Sequence, residues 1–363
     1  MTAKQLKAQP SRQLNLILDN RPKLDTRRHL ILTKSRVATT EVFDTYWRLA
    51  AERQNVFFRR ASHSQPPWTS DPILLRYRFT NAYRAADRVS QFLIRQVQAN
   101  GPQDVRSLFF RTVLFKLFNR TETWELLEAK NGPISPDTYD YRAYEIPLSE
   151  AMAVGRRIYS AAYIMPSGRV EGQRKHQAHL KLLEAMMKDD LPARIAEVES
   201  MQKAFDLLRQ CPMIGDFLAY QYVTDLNYSG ILNFSEMDFV MPGPGARSGI
   251  RKCFADYGSY SESDLIRWMA EHQEEEFLRR GIEFPSLWGR PLQLIDCQNL
   301  FCEVDKYARV YHPEVVGLSG RARIKQEYRL NSTPVNYWFP PKWGLNDKIA
   351  AWHASRNRLM QSA

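Results

Sequence analysis

Apolar residues recur at three- and four-residue spacing along much of this 363-residue chain, in which glycine is scarce. Because an α-helix completes a turn every 3.6 residues, this spacing gathers apolar side chains on one helical face. The clearest stretches are residues 42–51, 82–97, 105–118, 177–187 and 195–208. We therefore expect a mainly α-helical protein. One small β-hairpin is expected at 163–170, where a Pro-Ser-Gly turn separates β-prone residues.

Clusters of proline and glycine interrupt the helical pattern, but no flexible linker divides the chain. The pattern predicts a basic N-terminal arm at 1–40, a helical domain at 41–325, and a C-terminal strap and helix at 326–363. No run of about 18 uncharged apolar residues is present, and the N-terminus is polar and basic. We accordingly expect a cytoplasmic protein with no membrane segment.

Positive charge is concentrated in two parts of the sequence. The formal net charge is +11, and residues 1–36 and 73–120 each hold nine Lys and Arg against two acidic residues, a net of +7 apiece. Eight of the nine basic residues in the second part are Arg, whose planar guanidinium suits phosphate better than the Lys ammonium does. Since each neutralised phosphate releases condensed counterions, such concentration favours nucleic acid as the partner.

Several classes of site are absent from the sequence. A GxxxxGK(S/T) loop is missing, which argues against a kinase built on that motif, and so is a GxGxxG turn after a strand, which argues against a dinucleotide fold. Cys211, Cys253, Cys297 and Cys302 form no CxxC pair and no zinc-ligand spacing with histidine. We therefore expect reduced structural thiols, no metal and no cofactor.

One part of the chain follows the order of a known DNA-binding motif. A predicted helix at 204–209 precedes a turn at 211–215 and a second helix, and Asp238 lies 23 residues beyond Gly215. This order resembles the helix-hairpin-helix of base-excision DNA glycosylases, whose Pro-hydrophobic-Gly turn presents backbone N–H groups to a DNA phosphate. Met213 stands where the first glycine of that motif is usual, so only Gly215 is kept.

A second segment fits the same comparison. The predicted helix at 107–117 runs into a polar loop that contains Asn119 and Arg120. Glycosylases of this superfamily carry a similar helix, and the tip of its loop fills the gap left by a flipped base. Asn119 and Arg120 are therefore candidate DNA contacts. An ordinary helix end with Asn as a left-handed cap explains the pattern equally well.

Five short phrases together resemble one branch of that superfamily. They are EVFDTYW at 41–47, NVFFRR at 55–60, FTNAYR at 79–84, LFFR at 108–111 and DCQNLFCEVDKY at 296–307. The chain is similar over residues 41–313 to the α-glutamyl/putrescinyl-thymine pyrophosphorylase-like family, also called the DNA base hypermodification family. The resemblance implies action on modified pyrimidines in double-stranded DNA. Some members resemble amino-acid:DNA transferases, and others resemble antiphage glycosylases that excise bulky bases such as glucosylated hydroxymethylcytosine.

Asp238 is the candidate catalytic residue for either reaction. Breaking an N-glycosidic bond generates an oxocarbenium-like sugar, which a carboxylate stabilises while it activates water. Attaching an amine to an activated 5-methylene group also needs a carboxylate, which takes a proton from the amine. The two reactions stay open on this ground, as does a purely structural role for Asp238 as a helix cap.

The remaining candidate residues are of two kinds. Hydrogen-bonding side chains on the DCQNLFCEVDKY segment suit a flipped base, since amides pair well with base edges. With Tyr83 as a stacking residue, the candidate base pocket consists of Gln298, Asn299, Asp305, Lys306 and Tyr83. The candidate phosphate contacts are Arg84, Arg111, Arg247, Arg251 and Lys252, in addition to Gly215.

We interpret the chain as a monomeric DNA glycosylase of antiviral defence. It would flip a bulky modified pyrimidine out of double-stranded DNA and excise it by hydrolysis, without a cofactor, leaving an abasic site. The alternative is an amino-acid or polyamine transferase that hypermodifies activated 5-hydroxymethyluracil in DNA. A third reading is a DNA-binding module without catalytic activity.

Overall fold

The protein is mainly helical, as predicted, in a computed structural model that describes residues 29–31, 36–168, 173–331 and 333–361. Its helices are α1 (Glu41–Ala61), α2 (Pro72–Arg76), α3 (Arg88–Phe92), α4 (Val105–Phe118), α5 (Thr121–Asn131), α6 (Tyr141–Ala153), α7 (Lys175–Lys188), α8 (Leu191–Ala196), α9 (Met201–Arg209), α10 (Asp216–Tyr228), α11 (Pro244–Cys253), α12 (Glu262–Glu271), α13 (Gln273–Arg279), α14 (Leu294–Tyr311) and α15 (Asn346–Gln361). Three strands are β1 (His29–Ile31), β2 (Arg36–Thr39) and β3 (Phe254–Asp256). Among the described residues, no helix is both long and apolar enough to cross a membrane.

The strands form a small antiparallel sheet in the order β1–β2–β3. β1 and β2 make a hairpin in which His29 pairs with Ala38, and β2 continues the sheet through the pairing of Thr39 with Phe254. The hairpin of this fold therefore lies near the start of the described chain. Most of the predicted basic arm, residues 1–28 and 32–35, lies outside the described residues.

The location predicted for the hairpin, 163–170, was wrong for its described part. Residues 163–168 contain no strand, and 169–170 lie outside the described residues. In this segment the Pro166 carbonyl meets a side chain and not a partner strand, since it lies 2.9 Å from Nε2 of His179, within hydrogen-bond distance.

Contacts between Cα atoms divide the chain into two compact units. The first contains the described residues of Met1–Ala82, Pro244–Ser286 and Cys297–Pro334. Its core is aromatic, with Trp47 fully buried and its ring 5.0 Å from those of Tyr46 and Phe277. Helices α11 and α14 approach closely at Gly249, where an added Cβ would lie 1.9 Å from the Phe301 carbonyl oxygen.

The second unit contains the described residues of Tyr83–Gly243, Leu287–Asp296 and Val335–Ala363. Helix α4 is its centre and packs against α5, α7, α8 and α10. Residues 107–118 of α4 are buried on every side of the helix, as expected of a central helix that is apolar all round. Two cations, Arg111 and Lys116, are buried with them.

Helices α9 and α10 of the second unit are joined by a tight turn at 211–215. Met213 has a φ of +64°, in the left-handed region that favours glycine. It thus adopts the conformation expected of the glycine it replaces in the motif. Gly215 is the N-cap residue of α10.

Candidate functional site

A cleft of about 270 Å³ in the first unit brings polar and aromatic side chains together. Helix α1, the residues preceding α2, and α14 form its walls. The lining residues are Thr45, Arg48, Leu49, Glu52, Ser70, Asp71, Tyr307 and Tyr311. The α1 residues share one face because they are spaced three or four apart, and the two tyrosines share one face of α14 for the same reason. We call this site the tyrosine cleft.

One carboxylate of the tyrosine cleft is fixed by its neighbours. The Tyr307 hydroxyl donates a hydrogen bond of 2.7 Å to Oδ2 of Asp71. Oδ1 of Asp71 accepts from the backbone N–H groups of Ile73 and Leu74, at 2.8 and 3.1 Å, and so caps α2. Three of the roughly four acceptor positions of an ionised carboxylate are therefore used. Asp71 is suited to holding the Tyr307 ring in place.

The second carboxylate of the cleft has more acceptor capacity left. Oε1 of Glu52 accepts a hydrogen bond of 2.6 Å from the Thr69 hydroxyl and lies 3.6 Å from the Arg59 guanidinium. Arg48 is exposed at the same site, and no described carboxylate lies within ion-pair distance of it. The cleft thus combines an available hydrogen-bond acceptor with an available cation.

Aromatic surface completes the tyrosine cleft. The rings of Tyr307 and Tyr311 lie 5.4 Å apart, centroid to centroid, with a tilt of 39°. Tyr307 is buried, whereas Tyr311 is half-buried. Aromatic faces of this kind are what proteins use to stack bases that have left a helix.

A histidine adjoins the cleft. Nε2 of His312 lies 2.7 Å from the Thr45 hydroxyl, and its Nδ1 faces Glu314 at 3.5 Å and Glu41 at 3.8 Å. Burial lowers the pKa of His312, and the two carboxylates oppose that effect. One ligand atom from each of the three residues lies within 4.8 Å of the others, so among the described residues this group is the one whose geometry could hold a metal ion.

The second unit contains a buried network of charges. The Arg84 guanidinium donates two hydrogen bonds to the Asp225 carboxylate, at 2.6 and 3.0 Å, and Nζ of Lys116 lies 2.9 Å from the same group. Gln221 accepts from Arg84 at 3.0 Å, and Asn119 accepts from Lys116 at 2.9 Å. None of these five side chains belongs to a residue more than 3% exposed. The charges of Arg84, Lys116 and Asp225 therefore interact with one another inside the protein.

Burial and neighbouring charges shift the pKa values of this network. Burial lowers the pKa of Lys116 to about 8, although Asp225 acts against it. Burial by itself would raise the pKa of Asp225, but the charges of Arg84 and Lys116 outweigh it and lower that pKa. Asp296, whose oxygens accept from the backbone N–H groups of Arg84 and Gln293, has its pKa raised by burial to about 7.

Three of the predicted phosphate contacts are corrected by the structure. Arg84, Arg111 and Lys252 are 1, 2 and 2% exposed, so a DNA backbone cannot reach them. Arg111 donates to the carbonyl oxygens of Val97 and Pro102, at 2.8 and 2.7 Å. A count of charges in a sequence does not distinguish a cation at the surface from one that holds loops together.

The other predicted DNA contacts are more accessible. Arg247 and Arg251 are exposed, the former 3.7 Å from Glu262 and the latter over the Tyr257 ring. Gly215 is also exposed, and a Cβ added there would meet nothing within 4 Å.

The predicted loop tip does not form a free wedge. Asn119 is 3% exposed and ends α4 in the left-handed conformation, with a φ of +49°. This is the capping role that the sequence left open as the alternative. Arg120 is half-buried and lies 3.1 Å from the Glu122 carboxylate.

The predicted base-pocket residues are not gathered in one pocket. Asp305 is buried, accepts from the Ser248 hydroxyl at 2.8 Å and lies 3.4 Å from the Lys252 ammonium. Lys306 pairs with Glu303 at 2.7 Å, and its ammonium lies over the Phe79 ring.

The remaining candidates have local roles or exposed positions. Gln298 is fully buried on α14, whereas Asn299 is half-buried. Tyr83 is buried in the second unit and donates a 2.6 Å hydrogen bond to the Arg290 carbonyl. Asp238 is exposed in a turn, where its backbone N–H donates to the Ser235 carbonyl.

Sequence reasoning missed most of the residues that form these sites. Tyr311, Asp71 and Glu52 carry no motif, and only their position on shared helical faces or at a helix cap marks them. Lys116 and Asp225 had a usable signal, since each is a charge flanked by apolar or uncharged polar residues in the second half of its helix. A charge in such a setting is buried and needs a partner.

Comparison with known proteins identifies relatives of this chain. The family model described as "5-hmdU DNA kinase, helical domain" matches residues 40–317, which include every residue of the tyrosine cleft. A 5-hmdU DNA kinase of Bacillus phage SP10 is 27% identical over 326 residues, covering 82% of this chain. The chain spans about half the length of that relative, 50%. No solved structure matches it.

The interpretation as a DNA glycosylase that hydrolyses an N-glycosidic bond is wrong. The relative is named a 5-hmdU DNA kinase, not a glycosylase. The excision role assigned to Asp238 is withdrawn together with the glycosylase interpretation. The missing GxxxxGK(S/T) loop excludes only a kinase built on that motif. The resemblance to DNA base hypermodification proteins agrees with the comparison. The chain belongs to the 5-hmdU DNA kinase helical-domain family.

Proposed function

We propose that this chain acts in DNA hypermodification, as a helical domain that binds DNA containing 5-hydroxymethyluracil and holds the modified base in the tyrosine cleft. The observation that carries the proposal is the position of the cleft, whose lining residues all lie within the segment that matches the family. Of the two reactions considered from the sequence, we therefore prefer modification of 5-hydroxymethyluracil in DNA to excision of a base. The name of the relative points to a phosphoryl group rather than an amino acid or polyamine.

The chemistry of the cleft suits such a base. Tyr311, which is half-buried beside Tyr307, offers aromatic surface for stacking, which is worth about 1–3 kcal/mol per base. The hydroxymethyl group is a hydrogen-bond donor that thymine lacks, and Glu52 has the capacity to accept from it. Arg48 supplies a positive charge for the phosphate of the same nucleotide.

Glu52 is also placed to take part in group transfer. When a hydroxyl attacks the phosphorus of a phosphoryl donor, the bond from that phosphorus to the donor's leaving group breaks, and a carboxylate within hydrogen-bond distance can receive the proton of the hydroxyl. We assign this role to Glu52 rather than Asp71, because Asp71 already accepts three hydrogen bonds.

We also propose that the fold descends from the helix-hairpin-helix glycosylases. The support is local: α9 and α10 flank a turn in which Met213 has the φ of a glycine, and Gly215 begins α10. Gly215 remains the proposed phosphate contact of this turn. Because a Cβ at Gly215 meets nothing, Gly215→Ala tests the approach of DNA without a packing cost.

The experiment that tests the proposed function is a binding competition. Fluorescence anisotropy measures the affinity for duplexes that differ only in one base, 5-hydroxymethyluracil or thymine. We expect tighter binding to the modified duplex, and we expect Tyr311→Ala to reduce that preference because a stacking face is lost.

Trp338→Ala is the matched control, since Trp338 is an exposed aromatic residue outside the cleft. Equal affinity of the unaltered protein for the two duplexes would contradict the proposal. So would an effect of the control as large as that of Tyr311→Ala.

A further inference from the structure

Two segments of the first unit pair side by side outside the tyrosine cleft. The N–H of Arg78 donates to the Gln326 carbonyl at 3.0 Å, and the N–H of Tyr328 donates to the Arg76 carbonyl at 2.9 Å. Tyr77 and Glu327 form an antiparallel bridge between the same segments. The residues after α14 are thus fixed against the end of α2.

The paired segments carry a dense set of exposed positive charges. Six residues contribute, five Arg and one Lys, and each is exposed. They are Arg76, Arg78, Arg321, Arg323, Lys325 and Arg329. We call this set the basic ribbon. Glu327 is the one acidic residue between positions 318 and 330.

Within the described part of the chain, no carboxylate lies within ion-pair distance of any of the six cations of the basic ribbon. Other exposed cations of this chain do have such partners, as Lys181 has Glu184 at 2.7 Å. Like charges held close together repel one another, so the ribbon lacks compensation until an anion is present. That is the property of a surface whose counter-charge comes from a partner.

The spacing of the ribbon suits a polymer with regular negative charge. Arg321, Arg323 and Lys325 occupy alternate positions of one segment, Glu327 takes the next alternate position and Arg329 the one after it, and alternate side chains of an extended segment point to the same side. The separation between Arg321, Arg323 and Lys325 is then about 6.6 Å, close to the roughly 6.8 Å of helix axis that two phosphates of one DNA strand occupy. Arginine also binds phosphate bidentately, which Lys cannot do.

We propose that the basic ribbon is a binding site for the phosphate backbone of DNA. The inference rests on the proposed function for the identity of the polyanion as DNA. The segment 321–329 lies beyond the 40–317 match to the family, so the site is argued from the side chains of this chain. It adds affinity that does not depend on sequence, whereas the tyrosine cleft distinguishes one base from another.

The test compares two variants of equal charge. The ribbon variant is Arg321→Gln with Arg323→Gln and Lys325→Gln. The control is Lys130→Gln with Arg142→Gln and Lys188→Gln, three exposed cations of the second unit. Affinity for an unmodified duplex is measured from 50 to 200 mM salt, and circular dichroism checks that both variants are folded.

We expect the slope of log affinity against log salt to fall by about 2.7 in the ribbon variant, because each lost phosphate contact removes about 0.9. The affinity at 50 mM salt should fall by at least about tenfold. An equal fall in the control would overturn the inference, since it would report net charge alone. Unchanged binding of the ribbon variant to DNA, with lost binding to phosphatidylserine vesicles, would also overturn it.

The same titrations separate this inference from the proposed function. The ribbon variant should lose affinity equally for thymine and 5-hydroxymethyluracil duplexes, so that their ratio is unchanged. A protein that shows no preference for the modified base but loses salt dependence in the ribbon variant would retain the ribbon and contradict the cleft. A preference for the modified base with no change of slope in the ribbon variant would support the tyrosine cleft and contradict the basic ribbon.

Discussion

Lys116 and Asp225 form an ion pair in the interior of the second unit, with 2.9 Å between Nζ and Oδ2. Arg84 binds the same carboxylate, so two buried cations share one anion. All three belong to residues no more than 3% exposed. Part of the positive charge between residues 73 and 120 therefore serves the fold and not a partner.

Loss of the shared carboxylate should destabilise the protein more than loss of one cation. Asp225→Asn leaves Arg84 and Lys116 without a buried counter-charge, which we expect to cost roughly 3–5 kcal/mol. Lys116→Met should cost less, because Arg84 keeps its partner. The free energy of unfolding in urea at pH 7 measures both effects. Arg106→Gln, at the exposed pair with Asp137, is the control and should cost no more than about 1 kcal/mol. A smaller effect of Asp225→Asn than of Lys116→Met would contradict this view.

Asp296 should make the stability of the protein depend on pH. Burial raises its pKa in the folded state to about 7, above the ordinary value of 3.8. The folded state therefore holds this proton more tightly, so the contribution of Asp296 to stability is present below pH 4 and is lost as the pH rises to 7. The loss is of the order of 4 kcal/mol.

Asp296→Asn removes that dependence. The free energy of unfolding, measured for both proteins between pH 4 and 8, should show the variant gaining relative to the unaltered protein as the pH rises. Asn also lacks one of the two acceptors used by Arg84 and Gln293, which adds a cost that does not vary with pH. A constant difference across this range would show that Asp296 is charged throughout.

Glu52→Gln should weaken recognition of the hydroxymethyl group. A hydrogen bond to a charged acceptor is worth about 1.5–3 kcal/mol, so the preference for 5-hydroxymethyluracil over thymine should fall by roughly tenfold or more. Affinity for the thymine duplex should change little. Anisotropy with both duplexes measures the ratio, and Glu274→Gln, an exposed acid of α13, serves as control. An unchanged ratio would remove Glu52 from the site.

Gly249→Ala should disrupt the packing of α11 on α14. The added Cβ would lie 1.9 Å from the backbone carbonyl oxygen of Phe301, which cannot move without its helix. We expect a loss of roughly 3 kcal/mol or more in the free energy of unfolding. Gly230→Ala is the control, because nothing lies within 4 Å of a Cβ there, and it should stay within about 1 kcal/mol. If Gly249→Ala and Gly230→Ala lowered the thermal unfolding temperature equally, α11 would be able to shift away from α14 at little cost, which would contradict this prediction.

Local features of the structure follow from local features of the sequence. The periodicity at 105–118 predicts a helix, and α4 spans Val105–Phe118. The start of α4 is equally local, because Asp104 accepts from the Ser107 N–H at 2.9 Å. These interactions join residues a few positions apart, so the pattern of residue types is enough to predict them.

The tyrosine cleft could not be predicted in this way. Asp71 and Tyr307 lie 236 positions apart, and their hydrogen bond exists only because α1, α2 and α14 pack together. The DCQNLFCEVDKY phrase does place Tyr307 in the matched family, yet its polar residues Asp305 and Lys306 find other partners. Helical periodicity shows which residues share a face, but not which face another helix covers.

By itself, the sequence of this protein determined its helical class, the position of α4, and its excess of positive charge. Those properties depend on residue type and on spacing of a few residues. Only the tertiary structure decided which cations are available to DNA, since Arg84, Arg111 and Lys252 are buried while Arg321 and Arg323 are exposed. The physical reason is that burial and charge pairing are set by contacts between distant segments, and the free energy of those contacts is not encoded in any one segment.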